Sequence, residues 1–312
     1  MHFNKMPQTG ILSLLTGWTL RHAKERKLPS SHASQSMVKH GVEDLLYSPN
    51  PYLFRAATNS DKIKSAIHFA DSCFSGERRR FTPEALITHS IFVGNESGIV
   101  IDGLGIDESK RELLLLKSVL HDVLEDSPPD RKDLANKREL NRLFGRACAD
   151  GVKRLSVPDD HILENIFSKN VKLRELSLNF DDLKNAFKAL IQANRLRPDE
   201  LVAKSADTIS KCMSDGVCFI TGKMFVGCKK YPDFASVKAN IEQRRIYIGI
   251  YLEKLSLPQN AAYFGPEKTE VIRKRIQKRF NRESAKMLKQ ATLSAKRTER
   301  PKEVEHLSPQ IA

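Results

Sequence analysis

The sequence predicts an all-α fold, and three observations support this prediction. Apolar residues recur at helical spacing over Lys110–Asp126, giving a face broad enough for a buried helix. Residues that start or stop helices recur along the chain, such as Ser60 at a start and Pro128-Pro129 at a stop. Strand candidates are few, namely Ile99–Ile101 and Val217–Phe219. We therefore expect a mostly helical protein.

The predicted helices divide the chain into an extension, a core domain and a basic C-terminal region. Residues 1–54 are rich in Ser, His, Pro and Lys, and we interpret them as an extension with one helix at Ile11–Lys27. The core domain is expected over residues 55–260, with a first helix after Ser60 and a second at Pro83–Val93. Four glycines favour a loop or short hairpin over Gly94–Ile106. After Lys110–Asp126, further helices are predicted at Asp133–Leu155, Asp159–Phe167, Asp182–Ala193, Asp199–Met213, Val237–Leu255 and Pro266–Leu293.

Positive charge is concentrated at the C-terminus. The chain carries 52 Lys and Arg against 38 Asp and Glu, a net charge of +14, and residues 265–312 hold 13 basic and 6 acidic residues. We interpret residues 261–312 as a basic helix followed by a disordered tail beyond about Ala295. The helix can contact the phosphates of a nucleic acid, or it can pack Ile272, Ile276 and Phe280 on the core. Both interpretations remain open from the sequence.

The composition excludes several classes of protein. With 40% hydrophobic and 29% charged residues, the chain is neither collagen-like nor wholly disordered. No apolar run approaches the roughly 18 residues that a membrane-spanning helix needs. The five cysteines are odd in number and show no Cys-x-x-Cys spacing, which favours free thiols in a reducing compartment. We therefore expect a cytoplasmic protein without a membrane span.

One imidazole and three acids are clustered at the end of the predicted Lys110–Asp126 helix. Residues four apart share a helix face, so His121 is expected beside Glu125, and Asp122 beside Asp126. Three acids close together repel one another unless something neutralises them. A divalent metal does so, and imidazole and carboxylate groups are its natural ligands. The alternative is a polar end on a surface helix, which the strongly apolar residues before His121 disfavour.

A His-Asp pair cannot complete a coordination sphere, so further ligands must come from other segments. His89 lies on the predicted helix Pro83–Val93, and Asp207 lies on the predicted helix Asp199–Met213. Both are candidates for the same site.

With these residues in order, the sequence resembles the HD-domain metal-dependent phosphohydrolases. The flanking segments are similar, more specifically, to the hydrolase domain of the RelA/SpoT enzymes and to the small alarmone hydrolases. The resemblance covers roughly Asp61 to Leu255. The matching segments are Arg78-Arg79-Arg80 before Ala85–Ser90, Val119–Asp126, Phe144-Gly145 with Gly151–Leu155, and Lys204–Asp207.

The resemblance implies an HD-type helical bundle and a defined chemistry. One Mn²⁺ would be bound by His89, His121, Asp122 and Asp207, although imidazole and carboxylate ligands suit Fe, Co and Zn as well. The implied reaction is the release of pyrophosphate from the 3′ position of guanosine tetra- or pentaphosphate. The resemblance assigns positioning and deprotonation of the attacking water to Glu125 and Asp126. The residues expected to bind the nucleotide substrate are Arg78, Arg79, Arg80, Lys204 and Lys211.

The sequence departs from the family in the substrate set and retains the metal set. Pro83, Ala85 and Leu86 stand where family members usually have Gly and then Pro-Tyr, and Lys211 stands where Asn is common. Two alternatives therefore remain: an HD hydrolase of another nucleotide or of a nucleic-acid phosphoester, and a non-catalytic nucleotide-binding module. Three successive arginines at Arg78–Arg80 are also compatible with a simple solvated loop.

Overall fold

The described part of the chain is a bundle of α-helices joined by short turns. The computed structural model describes residues 52–74, 77, 86–156, 191–220 and 233–298, and these contain no strand. The prediction of a mostly helical protein is confirmed. The helices are α1 (Tyr52–Asn59), α2 (Asp61–Cys73), α3 (Leu86–Ile101), α4 (Glu108–Leu120), α5 (Val123–Asp126), α6 (Lys137–Phe144), α7 (Arg146–Leu155), α8 (Pro198–Ile220), α9 (Phe234–Ser256), α10 (Pro258–Phe264) and α11 (Pro266–Thr298).

The predicted loop or hairpin over Gly94–Ile106 is wrong for its first part, because α3 continues to Ile101. Gly103 and Gly105 do lie in a turn after the helix, with φ of 70° and 57°, whereas Gly94 and Gly98 serve close packing. A Cβ on Gly98 would overlap the ring of Tyr52, and one on Gly94 would lie 2.9 Å from Val119 Cγ2. The glycines let α1 and α4 approach α3 closely. The strand candidates Ile99–Ile101 and Val217–Phe219 both lie in helices, α3 and α8.

Two predicted long helices are each broken once. Helix α4 ends at Leu120, and α5 begins only at Val123, so the Lys110–Asp126 segment is not one helix. The predicted Asp133–Leu155 helix is divided at Gly145. Gly145 has a φ of 86°, a conformation that glycine adopts easily and that ends α6 before α7 begins. The predicted N-cap at Ser60 is confirmed, since its hydroxyl accepts a hydrogen bond from the amide of Ile63 at 3.3 Å.

Helix α8 lies at the centre of the bundle, in contact with α3, α4, α9 and α11. One cluster of buried apolar side chains joins α8 to α9, α10 and α11, and a second joins α1, α2, α4, α6 and α7. Helices α3 and α4 contribute to both clusters. The central position of α8 brings it beside the two segments that carry the candidate histidines.

Helix α11 is part of this core. Ile272, Ile276 and Phe280 are fully buried, so the packing interpretation of these three residues is confirmed. Tyr52 and Leu53, at the start of α1, are also buried, and both pack against α3.

Several predictions lie outside the described residues. They are the helices Ile11–Lys27 and Asp159–Phe167, most of Asp182–Ala193, the arginines Arg78–Arg80 and the tail beyond residue 298. Among the described helices, none combines the length and the apolar character that crossing a membrane requires.

Candidate metal centre

Three segments bring together a buried group that can hold a metal ion. His89 lies in the first turn of α3, His121 directly follows α4, and Asp207 lies within α8. All three side chains are buried, and each offers one ligand atom within 4.8 Å of the others. They are the residues that the sequence singled out, from segments separated by up to 118 positions.

Asp122 adds a second carboxylate to this group. Its Oδ2 lies 2.8 Å from His121 Nε2 and 3.5 Å from His89 Nε2. Asp207 Oδ1 lies 3.0 Å from His89 Nε2 and 3.8 Å from His121 Nε2. Ligand atoms about 2.1 Å from one ion, at octahedral or tetrahedral angles, are about 3.0–3.4 Å apart. The observed spacings lie around that range.

Hydrogen bonds orient both imidazole rings. His121 Nδ1 donates to the carbonyl oxygen of Ser118 at 2.9 Å, so in the neutral imidazole the lone pair is on Nε2, which faces the carboxylates. His89 Nδ1 lies 3.0 Å from the hydroxyl of Ser210, which is near the middle of α8 and about one turn beyond Asp207. An imidazole fixed through one nitrogen and presenting the other is the usual arrangement of a metal-binding histidine.

The environment of His121 favours a cation. Its Nε2 is buried and, among the described residues, has no hydrogen-bond partner of good geometry. Burial alone would lower the pKa of His121, but the carboxylates of Asp122 and Asp207 outweigh burial and raise it. Burial would likewise raise the pKa of Asp122, but His121 holds it far below its usual value. The group therefore fits a divalent metal, which would satisfy the unpartnered nitrogen and both carboxylates.

Two lysines contact the other oxygen of Asp207. Lys211 Nζ donates to Asp207 Oδ2 at 2.9 Å, and Lys204 Nζ lies 3.2 Å from the same atom. Burial disfavours the charge on Asp207, yet the two ammonium groups hold its pKa well below its usual value. Lys204 is buried, whereas the side chain of Lys211 is 41% exposed. Lys211 thus stands between the candidate ligands and solvent.

Glu125 and Asp126 lie on α5, at the rim of the site, and both are exposed. The amide of Asp126 donates to the carbonyl oxygen of Asp122 at 2.8 Å, which holds α5 directly beside the ligand turn. Loss of hydration beside the protein raises the pKa of Asp126 to about 6, with further contributions from the charges of Asp122 and Glu125. This carboxyl is therefore easily protonated.

Sequence reasoning placed Lys204 and Lys211 near Asp207, and the structure places both in contact with it. It did not find Ser118 and Ser210, which orient the histidines. Ser210 follows Asp207 by three residues and could be noticed by helical spacing. Ser118 acts through its backbone carbonyl, which leaves no signal in the sequence.

Comparisons with known proteins do not extend this picture, because no protein-family model matches the chain and no curated protein matches it either. The metal-binding group therefore rests on its own geometry.

Proposed function

We propose that the protein is a metal-dependent phosphohydrolase of the HD type, and that it releases pyrophosphate from the 3′ position of guanosine 3′,5′-bis(diphosphate). The observation that carries the proposal is the convergence of His89, His121, Asp122 and Asp207. Their order along the chain is the order that the family resemblance implies. Mn²⁺ is the proposed metal, and Fe, Co and Zn suit the same ligands.

The charge around the group supports an anionic substrate. Asp122 and Asp207 carry two negative charges, whereas a bound divalent ion and the two lysines on Asp207 would carry four positive ones. The ligand group, counted without the rim carboxylates Glu125 and Asp126, would then have a positive excess that phosphate oxygens can neutralise. Lys211 is the partly exposed member of this set, so its ammonium group is the one placed to donate to a phosphate entering from solvent.

The rim carboxylates supply the remaining chemistry. A divalent ion held by His89, His121, Asp122 and Asp207 would supply Lewis acidity toward a phosphate ester and would make water more acidic. Asp126 and Glu125 are held one turn beyond Asp122, where either can orient the attacking water and accept its proton. Water attacks the phosphorus atom that is bound to the 3′ oxygen of the ribose. The bond between this phosphorus and the 3′ oxygen then breaks. The products are GDP and pyrophosphate.

The test is turnover of guanosine tetraphosphate by the purified chain with Mn²⁺, with GDP and pyrophosphate measured by chromatography. We expect turnover in the wild type and in Asp130→Ala, which removes an exposed acid nearby. We expect a loss of at least about a hundredfold in Asp122→Ala, because that variant lacks a carboxylate of the metal group. Turnover that survives Asp122→Ala, or none from the folded wild type loaded with Mn²⁺, would reject this function.

A second candidate function keeps the metal and changes the substrate. Lys211, where the family commonly has Asn, adds a cation beside Asp207 and favours a nucleotide whose phosphates are arranged differently. A panel of nucleoside 5′-phosphates and 3′-phosphates, assayed with Mn²⁺ and the same Asp122→Ala control, separates this candidate from the first. Binding without turnover of any member would favour the non-catalytic module.

A further inference from the structure

A second buried cluster of charges lies between α4 and α8, one to two helical turns before the ligands of the candidate metal centre. Lys117 of α4 donates to Asp199 Oδ2 at 2.6 Å and to Glu200 Oε1 at 2.8 Å, both at the start of α8. The guanidinium of Arg154 of α7 forms two hydrogen bonds with Glu200, at 2.8 and 2.6 Å. The side chains of Lys117, Asp199 and Glu200 are at most 1% exposed. We call these four residues the Lys117 cluster.

The bundle is shaped to accommodate this cluster. A Cβ on Gly151 of α7 would overlap the side chain of Lys117, so the absence of a side chain there makes room for the lysine. Two cations and two carboxylates leave the cluster neutral. Its hydrogen bonding is nevertheless incomplete, since among the described residues Asp199 Oδ1 has no partner.

Such a cluster is a poor source of stability. The cost of removing charged groups from water often exceeds their mutual attraction, and apolar side chains of similar volume frequently stabilise a protein as well. A buried ion pair does, however, specify one alignment of two helices, because any other alignment leaves a charge buried without its partner. The Lys117 cluster joins α4 to α8 and is placed to specify how these two helices lie along one another.

The same two helices carry metal ligands on the same faces. His121 follows Lys117 by four residues, and Asp207 follows Glu200 by seven, which are about one and two helical turns. The Lys117–Glu200 contact and the His121–Asp207 approach of 3.8 Å are thus successive contacts along one α4–α8 interface. A shift of α8 against α4 would move Asp207 relative to His121 by the same amount.

We propose that Lys117, Asp199 and Glu200 are positioning residues for the metal centre, which fix the alignment of α4 and α8 and so the distance between His121 and Asp207. This inference rests on the proposed metal site. A ligand set must be held within about 0.5 Å of its working geometry. Loss of the alignment is therefore expected to weaken metal binding more than it weakens the fold.

The test compares two double variants that remove the same charges from α4 contacts. Lys117→Met with Asp199→Asn neutralises half of the Lys117 cluster and leaves Arg154 paired with Glu200. The matched control, Lys62→Met with Glu112→Gln, removes a solvent-accessible pair that joins α4 to α2, where Lys62 Nζ lies 3.5 Å from Glu112 Oε2. A third variant, Leu140→Ala, opens a cavity in the core at α6, a helix that contributes none of the ligands. Mn²⁺ affinity is measured by titration calorimetry, and stability by thermal unfolding of metal-free protein.

We expect the Lys117 double variant to raise the Mn²⁺ dissociation constant about tenfold or more. The control pair and Leu140→Ala are expected to stay within about twofold of the wild type, even where Leu140→Ala lowers the Tm further. If the Lys117 double variant does not fold, Asp199→Asn alone keeps the Lys117–Glu200 contact and is expected to weaken binding by a smaller factor.

The inference can be overturned in two ways, which the measurements distinguish. Equal Mn²⁺ affinity in the wild type and the Lys117 variants, or equal weakening in Leu140→Ala, rejects the positioning role and leaves the metal site intact. Failure of the wild type itself to bind Mn²⁺ rejects the metal site and the inference together.

Discussion

At the scale of single residues, the candidate site is a buried set of side chains in which each charge is stabilised by an opposite charge beside it. Asp207 is bound by cations on one oxygen and faces histidines with the other. The sequence was sufficient to single out His89, His121, Asp122 and Asp207 as candidate ligands, through helical spacing and the order of the motifs, and the structure places these four side chains together. It could not reveal Ser118 or the Lys117 cluster, since a backbone carbonyl and a buried lysine are recognised only from their neighbours.

Lys211 is expected to contribute to substrate binding and not to metal binding. Replacing it by Met should raise the KM for guanosine tetraphosphate about tenfold, the effect of one partly exposed charge-assisted hydrogen bond. Mn²⁺ affinity should change little, because Lys204 still keeps Asp207 ionised. Steady-state kinetics and calorimetry measure the two effects separately.

The control for that prediction is Lys278→Met, which removes an exposed lysine from α11. It should leave both constants unchanged. A lowered kcat with an unchanged KM in Lys211→Met would contradict the binding role.

At the scale of helices, the presence of each helix was easier to predict than the residues at which it begins and ends. Every helix predicted within the described residues is present, since its apolar spacing reports a buried face. The prediction of a loop is wrong over Gly94–Ile101 because glycine is used both in turns and at close helix contacts, and only the neighbouring helix distinguishes the two. The break after Leu120 likewise leaves the apolar spacing almost unchanged.

Gly98 and Gly249 provide a matched pair for testing this account. Both lie inside helices, but a Cβ on Gly98 would overlap Tyr52, whereas one on Gly249 would have no atom within 4 Å. Gly98→Ala should lower the free energy of unfolding by about 1–3 kcal/mol through overpacking. Gly249→Ala should raise it by up to about 1 kcal/mol, because alanine favours the helix.

Urea unfolding of the three proteins measures both changes. If the free energy of unfolding of Gly98→Ala equalled that of Gly249→Ala, the result would contradict a close approach of α1 to α3.

At the scale of the whole molecule, three arginines of the basic helix α11 form hydrogen bonds with other parts of the bundle. Arg275 of α11 donates to the carbonyl oxygens of Val100 and Asp102 at the end of α3, at 3.1 and 2.6 Å. Arg279 pairs with the buried Glu96, and Arg273 donates to the carbonyl of Leu252 at 3.1 Å. These arginines bind helix ends and a buried acid. The positive charge of α11 therefore does not by itself indicate a nucleic-acid partner.

Acid is expected to destabilise the molecule partly through Glu200. Burial alone would raise its pKa, but Arg154 and Lys117 outweigh burial and hold it below 4.5. A carboxyl with a lowered pKa in the folded state contributes stability above about pH 4.5, and this is lost as the pH falls toward the folded value. Glu200→Gln should therefore make the free energy of unfolding less dependent on pH below about 4.5.

The comparison for this prediction is Glu253→Gln, which changes an exposed glutamate of α9. It should keep the pH dependence of the wild type. Urea unfolding at a series of pH values measures the slopes, and identical slopes in wild type and Glu200→Gln would contradict the assignment.

The long separation between His89 and Asp207 has a consequence for the order of events during synthesis. A growing chain exposes its N-terminal part first, and local helices form far faster than distant contacts close. His89, His121 and Asp122 leave the ribosome before Asp207, Lys204 and Lys211, so the acidic turn is without its counter-charges until α8 has been made. The candidate ligands can therefore come together only late in folding, after the chain has been translated past α8.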